Sequence, residues 1–290
     1  MTADLVQLLA GGILLGGIYG LAAFGLSVSF GVLNVLNLAH GEFLMLGSLL
    51  SYCAFVQFGM NPFVSAVLVI PVFTTMGLLF FLVLIRPLGE KPHHELLVAS
   101  ILVTLGASLA IEDLTAFFWE RPVTGIDYSL APFEVGGVVI SSLRLLILLF
   151  ICGLAAGLQV YLRRTFMGRA IRAITQCREG AKVVGIPISG VSALTFGLGV
   201  ALAASAGVFY VTLFTATPTM GIPLTVKYLC VVVLGGLGSL VGSVLGGLIL
   251  GLAEALTAYY AGAEWSPCIA FVLLLTILII RPQGLFGTET

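Results

Sequence analysis

The chain has 290 residues, of which 60% are hydrophobic and 9% are charged, and its mean hydropathy is +1.19. So apolar a composition excludes an ordinary water-soluble domain and predicts helices that lie in a membrane. The formal net charge of −1 gives no indication of nucleic-acid binding. The five cysteines are scattered, mostly in apolar runs, so we expect neither a disulfide framework nor a metal site.

The amino-terminal part alternates between apolar runs and short polar interruptions. A bilayer core needs about 20 apolar residues per helix, so the first span is predicted from Leu5 to Phe30. Apolar character is interrupted between residues 31 and 41 and resumes from Phe43 to Phe58. A turn at Asn61 precedes a further span from Phe63 to Ile85. The chain therefore begins with apolar helices joined by short connections.

The rest of the chain continues this pattern with one exception. The run Val226 to Leu234 is too short to span a bilayer, and glycines from Gly235 to Ser239 interrupt it. We therefore predict an all-α, polytopic integral membrane protein, with one transmembrane domain over residues 1–290. It should have about eight membrane-embedded helical segments, including broken or re-entrant helices. The remaining spans are predicted at Leu96–Phe118, Leu143–Leu162, Val191–Phe214, Val241–Tyr260 and Pro267–Ile280.

Polar side chains follow the first span at Asn34, Asn37, His40 and Glu42. A charge at mid-bilayer costs roughly 2.5–3.5 kcal/mol on insertion scales, so Glu42 needs a partner or a place near an interface. Two roles fit these residues. They line the translocation path, since polar groups inside membranes are usually functional, or they support a broken helix. In the second role, asparagine side chains cap the helix ends and His40 pairs with Glu42.

The longest polar stretch, residues 163–187, contains six of the chain's 12 Lys and Arg residues and is called the basic segment below. So basic a segment between two spans is expected to remain in the cytoplasm. Thr165 fits the N-cap of an amphipathic helix, which Gly185 and Pro187 end. The polar face is predicted to contain Arg169, Arg172, Gln176 and Glu179. The apolar stripe is predicted to contain Phe166, Ala170, Ala173, Cys177, Ala181 and Val184.

Two roles are open for the basic segment. It sets the topology and lies on anionic lipid, or its polar face engages another protein. The run 179–181, Glu-Gly-Ala, followed by Gly185, resembles the EAA…G loop of ABC-importer permeases, with glycine in place of the second alanine. The resemblance implies a cytoplasmic coupling helix that docks in a groove of an ATPase subunit. The residues implied in this coupling are Arg169, Arg172, Gln176, Glu179, Ala181 and Gly185.

Glycines are concentrated at the break after Leu234 and in the span that follows. Small residues in a small-xxx-small pattern let membrane helices approach closely. We expect these glycines to serve helix packing, within the chain or against a second membrane subunit. The residues are Gly235, Gly236, Gly238, Gly242, Gly246 and Gly247.

The charges along the chain agree with one topology. If the basic segment is cytoplasmic, Arg86, Lys91 and Arg281 fall on the same side, and the acidic stretch 119–140 falls outside. We therefore expect the N-terminus to be periplasmic and the C-terminus to be cytoplasmic.

Three stretches together resemble the permease subunits of branched-chain amino-acid ABC importers. They are residues 37–42, Asn-Leu-Ala-His-Gly-Glu, the basic segment, and the glycine-rich residues 234–254. The resemblance covers nearly the whole chain and implies a multi-pass subunit of a bacterial inner-membrane importer. Its implied partners are a second homologous permease, two ATP-binding subunits and a periplasmic substrate-binding protein. Relatives in this family also carry urea, short amides and other amino acids, so the substrate stays open.

No Gly-x-x-x-x-Gly-Lys-Ser/Thr phosphate loop occurs in the sequence. We expect a non-catalytic subunit that binds no cofactor or metal, with ATP and Mg²⁺ on its partners. A rival class, an ATP-independent carrier or channel, should show several intramembrane acids, for which only Glu42 and Glu254 are clear candidates. An intramembrane enzyme that uses His40 and Glu42 lacks a nucleophile or third ligand at suitable spacing.

Overall fold

The computed structural model of the protein describes residues 2–89, 92–119, 125–128, 130–135 and 138–287. Within these residues, nine helices are long and apolar enough to cross a membrane. The prediction of an all-α, polytopic membrane protein is confirmed, with one span more than expected. The additional span includes Val226 to Leu234, because its helix begins at Gly221 after a 3-10 turn at Pro218–Met220. Pro223 is tolerated there because the first turn of a helix needs no internal N–H donors.

Helices account for most of the described chain, and a short β-hairpin lies between the fourth and fifth helices. Helix α3 continues through a π-helical stretch, Phe81–Ile85, and a 3-10 turn, Arg86–Leu88. The antiparallel hairpin pairs β1 (Phe133–Val135) with β2 (Val138–Ile140). The α-helices are α1 (Thr2–Leu33), α2 (His40–Phe58), α3 (Pro62–Phe80), α4 (His93–Phe118), α5 (Ser142–Arg164), α6 (Phe166–Gln176), α7 (Arg178–Val183), α8 (Ile188–Tyr210), α9 (Gly221–Gly235), α10 (Leu240–Tyr260) and α11 (Ser266–Ile280).

Two helices form the centre of the bundle. In the most apolar stretches of α1 and α8, 83% and 89% of the residues are buried, against 17% in α5 and 6% in the span that ends with α11. Helices α8 and α10 pack along α1, and α2 and α3 pack along α8. The outer helices expose large apolar side chains such as Leu102, Leu149 and Leu275. Such a surface suits contact with lipid or with another membrane subunit.

Glycines allow α1 and α10 to approach backbone to backbone. A Cβ on Gly247 would clash with the backbone of Gly20, and a Cβ on Gly251 would clash with the backbone of Gly16. Van der Waals packing of this kind is a main source of association between membrane helices. The contact fixes α10 against the central helix α1.

The carboxyl-terminal residues 281–287 return to the end of α9. The N–H of Leu285 donates to the carbonyl oxygen of Leu234 over 2.9 Å, and the N–H of Phe286 donates to that of Gly235 over 3.1 Å. The last carbonyl groups of a helix have no partner within it. Gly284, at φ +81°, makes the turn that brings these donors into place. The break after α9 is therefore held by a segment distant in sequence.

Candidate functional site

Helices α2 and α9 begin beside each other inside the bundle. The N–H of Gly41 donates to Thr225 Oγ1 over 2.7 Å, and this hydroxyl donates to the carbonyl oxygen of Gly221 over 3.0 Å. A Cβ on Gly41 would clash with the same carbonyl oxygen. Two helix N-termini, each with a positive partial charge, therefore meet at one place. We call Gly41, Glu42, Gly221 and Thr225 the helix junction.

The irregular segment between α1 and α2 leads to this junction. Asn34 has φ +52°, a left-handed conformation that asparagine adopts more readily than most residues. Asn37 Oδ1 accepts a hydrogen bond from the N–H of Ala39 over 3.1 Å. Thr104 Oγ1 of α4 accepts one from the N–H of Leu38 over 3.0 Å. Side chains thus satisfy part of this backbone, as a non-helical segment at membrane depth requires.

His40 and Glu42 have separate partners. His40 Nε2 lies 2.9 Å from the carbonyl oxygen of Ala22, and Ser108 Oγ donates to Glu42 Oε1 over 2.8 Å. The predicted pairing of His40 with Glu42 is therefore wrong, because residues two apart on a helix point in different directions. His40 is 1% exposed and Glu42 is 0% exposed, whereas Asn34 is exposed.

The carboxyl group of Glu42 lies between the two helix N-termini. Glu42 belongs to the first turn of α2, and a Cβ on Gly221, the first residue of α9, would clash with its carboxyl group. Negative charge is stabilised at helix N-termini. Among the described residues, Glu42 Oε2 has no hydrogen-bond partner. The junction thus surrounds one carboxyl group, and its role in the path or in support of the broken helix stays a prediction.

A second buried polar cluster joins α1, α9 and α10. Lys227 Nζ lies 2.9 Å from Glu254 Oε1 and donates to Tyr19 OH over 3.1 Å. Tyr19 OH donates to Glu254 Oε2 over 2.8 Å. The side chain of Glu254 is 3% exposed and that of Lys227 is 18% exposed. We call these three residues the Lys–Glu–Tyr cluster.

Sequence reasoning missed Lys227. The residue lies in the run predicted to be too short to span, so the sequence alone indicates only Glu42 and Glu254 as clear intramembrane charges. A signal was nevertheless present: one lysine in an apolar run, followed by one glutamate in the next apolar run. Ionisable residues within membrane spans usually pair with one another.

The basic segment forms two helices rather than one. Thr165 caps α6 by accepting the N–H of Gly168 over 3.0 Å, as predicted. Cys177 interrupts the helix with extended backbone at φ −154° and ψ 101°, and its Sγ accepts the N–H of Gly180 over 3.3 Å. Gly185, at φ +80°, follows the end of α7. A cysteine thus caps a helix that the sequence predicted to be continuous.

The predicted apolar stripe is only partly correct. Phe166 and Val184 are 70% and 74% exposed, and Cys177 is also exposed. Phe166 is the first residue of α6, Cys177 lies at the break between α6 and α7, and Val184 follows the end of α7. None of the three therefore follows the periodicity of one continuous helix. Arg169, Arg172, Gln176 and Glu179 are exposed as predicted. The buried residues of α6 and α7 are Gly168, Ala170, Ile171, Ile174 and Ala181.

Arg172 connects α6 to α5. Its guanidinium donates to the carbonyl oxygens of Leu162 and, over 3.4 Å, Arg163. These are among the last carbonyl groups of α5, which lack helical partners. In α7, Lys182 Nζ lies 2.8 Å from Glu179 Oε1. The basic segment is therefore tied to the bundle through Arg172 and through its buried side.

Comparison with known proteins gives a consistent result. The model of the family described as branched-chain amino acid transport system / permease component matches residues 8–278. The chain belongs to this permease family. It is 31% identical to the high-affinity branched-chain amino acid transport system permease protein BraD of Pseudomonas aeruginosa, over 97% of this chain and 95% of that protein. It is 30% identical to the high-affinity branched-chain amino acid transport system permease protein LivH of Escherichia coli K12, over 97% of this chain and 95% of that protein.

The fold of this permease also occurs in a solved structure, PsaBC from Streptococcus pneumoniae in complex with Fab. The TM-score is 0.51, over 99% of this chain and 98% of that chain, at 12% identity, which shows the fold alone. The predicted resemblance to permease subunits of branched-chain amino-acid ABC importers is confirmed. The permease is a multi-pass membrane protein whose relatives are transport subunits.

The predicted packing glycines of the permease lie at contacts within the chain. A Cβ on Gly235 would clash with the backbone of Gly242, and the reverse also holds. Gly246 approaches the carbonyl oxygen of Val231, and Gly247 approaches Gly20. The glycines of the turn, Gly236 and Gly238, have φ +101° and +78°. A contact of these glycines with a second membrane subunit stays a prediction.

Proposed function

We propose that this permease carries branched-chain amino acids across the bacterial inner membrane as one subunit of an ATP-driven importer. The observation that supports it most is the near-full-length similarity to BraD and LivH, whose names give this substrate class. In this proposal the complex contains a second homologous permease, two ATP-binding subunits and a periplasmic substrate-binding protein. ATP and Mg²⁺ are bound by the ATP-binding subunits.

In the proposed orientation, the N-terminus is periplasmic, and the basic segment and the C-terminus are cytoplasmic. The concentration of Arg and Lys in residues 163–187 supports it, because cytoplasmic loops are enriched in these residues. A Cβ on Gly31 of α1 would lie 3.5 Å from Thr175 of α6 and 3.6 Å from Gly238. The basic segment, the end of α1 and the turn before α10 therefore lie at one end of the bundle, which this proposal assigns to the cytoplasm.

The basic segment transmits the conformational change of the ATP-binding subunits. Phe166, Val183 and Val184 are 70%, 86% and 74% exposed on a segment whose other exposed side chains are mostly polar. Large apolar side chains of this kind are suited to burial in a partner's groove. The other side of α6 contacts α1, α5 and α8. A displacement of α6 therefore moves these spans between outward-open and inward-open arrangements.

The decisive experiment is uptake of radiolabelled leucine into proteoliposomes that contain the assembled complex and ATP. Phe166→Ser is expected to lower uptake and substrate-stimulated ATP hydrolysis roughly tenfold or more, because a buried apolar anchor contributes about 2 kcal/mol at an interface. The matched control is Phe118→Ser, since Phe118 is 68% exposed at the last residue of α4. This control should retain both activities.

Competition and energy dependence separate the alternatives. Excess valine or isoleucine should reduce leucine uptake, and urea or acetamide should not. If urea or acetamide reduced leucine uptake and valine and isoleucine did not, the substrates would be urea and short amides instead. Uptake that continues without ATP would identify a carrier or channel. Equal loss of activity in both phenylalanine variants would count against coupling through Phe166.

A further inference from the structure

A cavity of about 350 Å³ lies between the last turns of α1 and α5, the helix α6 and the turn before α10. Arg163 and Arg172 line it, and among the described lining residues there is no Asp or Glu. An ammonium group bound there would find no carboxylate partner, whereas an anion would face two guanidinium groups. Arginine is well suited to bind phosphate because its planar group presents several donors. The charges of the cavity therefore favour an anion over a zwitterion.

The two arginines are placed differently. Arg172 is held at the wall by its hydrogen bonds to the carbonyl oxygens of Leu162 and Arg163. A guanidinium has five N–H donors, so these bonds leave others for a ligand. Arg163 belongs to the last turn of α5, and both arginines are exposed. One arginine that is hydrogen-bonded to the wall and a second arginine thus border the same space.

A buried hydroxyl lies deeper in the cavity wall. Ser27 of α1 is 0% exposed, and its Oγ has no hydrogen-bond partner among the described residues. A buried polar group without a partner costs about 1–3 kcal/mol. A ligand that offers an oxygen to this hydroxyl would remove that cost. Ser27 is therefore an observation independent of the arginines that points to a polar ligand.

Apolar side chains complete the wall. Val28 and Val32 of α1 and Leu162 of α5 line the same cavity. The neighbouring end of α5 carries Arg163 and Arg164, and basic residues at the end of a span mark the depth of the lipid headgroups. The ligand that fits has an anionic group for the arginines, an oxygen for Ser27 and an apolar part for this wall.

We propose that this cavity binds the headgroup of an anionic phospholipid. The phosphate lies against Arg163 and Arg172, a glycerol oxygen reaches Ser27, and the glycerol carbons contact the apolar wall. Because the cavity is bordered by α1, α5 and α6, the lipid stabilises the position of α6 against the spans. A ligand that binds one arrangement of a protein stabilises that arrangement. The site does not depend on which solute the permease carries.

The test is native mass spectrometry in detergent, which detects phosphatidylglycerol bound to the protein. The full chain is purified together with its partner subunits for this measurement. Arg163→Gln is expected to weaken phosphatidylglycerol binding about tenfold, the effect of one lost charged hydrogen bond. The matched control is Arg164→Gln, which removes the same charge from the adjacent exposed residue, outside the cavity lining. This control should bind phosphatidylglycerol as the unmodified chain does.

Inorganic phosphate distinguishes the two sources of the anion. A lipid site keeps its phosphatidylglycerol when phosphate is added, and phosphatidylcholine does not replace it. Displacement by phosphate alone would assign a free anion and overturn the lipid proposal. Equal weakening in Arg163→Gln and Arg164→Gln, or no weakening in either, would overturn the site itself. Thermal unfolding in lipid-free micelles should be the same for both variants, so that loss of fold does not imitate loss of binding.

Discussion

The ammonium group of Lys227 in α9 lies 2.9 Å from a carboxylate oxygen of Glu254 in α10, and Tyr19 of α1 contacts both. The ring of Tyr19 also lies beneath the ammonium, with its centre 4.9 Å away. The three helices are thus joined by a cluster in which the opposite charges of Lys227 and Glu254 cancel. Removing both charges together should therefore be tolerated better than removing one.

A double-mutant cycle tests the Lys–Glu–Tyr cluster. Lys227→Met alone leaves the 3% exposed carboxylate of Glu254 without its cation and should destabilise the protein by about 3–5 kcal/mol. Lys227→Met combined with Glu254→Leu should recover most of the loss, because a well-packed apolar pair often replaces a buried ion pair at little cost. The measurement is thermal unfolding in detergent, followed by helical circular dichroism. Glu254→Leu alone completes the cycle, and a double variant whose loss of stability equals the sum of the two single losses would contradict this account.

The glycine contact between α1 and α10 gives a second prediction. Gly251→Ala places a methyl group against the backbone of Gly16, and overpacking of this kind costs about 1–3 kcal/mol. Gly153→Ala is the matched control, because no described atom beyond its chain neighbours and the adjacent backbone of α5 lies within 4 Å of the position that its Cβ would occupy. Alanine is the better helix former, so this control should be neutral or stabilising by up to about 1 kcal/mol. Thermal unfolding of both variants checks the difference, and equal midpoints would refute the close contact.

Ser108 offers a test of the helix junction. Ser108→Ala removes the hydroxyl that donates to Glu42 Oε1 over 2.8 Å. Loss of a hydrogen bond to a buried carboxyl group should destabilise the protein by about 1–3 kcal/mol. Ser100→Ala is the control on the same helix, because Ser100 is equally buried and donates to the backbone of Leu97. In thermal unfolding, Ser100→Ala should lower the stability less than Ser108→Ala does. If Ser100→Ala were the more destabilising of the two, Ser108 would not be the donor that supports Glu42.

The spans were predictable because apolar runs of bilayer length impose helices. The N-cap at Thr165 was also predictable, since it depends on local sequence. The partners of His40 and Glu42 were not, because Ala22 and Ser108 come from α1 and α4, and no local pattern specifies such contacts. Lys227 was missed for a related reason. A short apolar run gave no indication that residues from Gly221 onward would extend it into a span.

The return of the carboxyl-terminal residues to α9 gives the last prediction. Deletion after Arg281 removes the donors to the carbonyl oxygens of Leu234 and Gly235, which are buried. Each buried carbonyl left without a partner costs about 1–3 kcal/mol, so the unfolding midpoint should fall clearly. Deletion after Gly287 keeps both donors and should leave the midpoint unchanged. Gly284→Ala should resemble the longer deletion, because φ +81° is unfavourable for alanine and its Cβ would meet the backbone of Gly236. If the long deletion unfolded at the same temperature as the short one, the carbonyl groups of α9 would have to be satisfied without this segment.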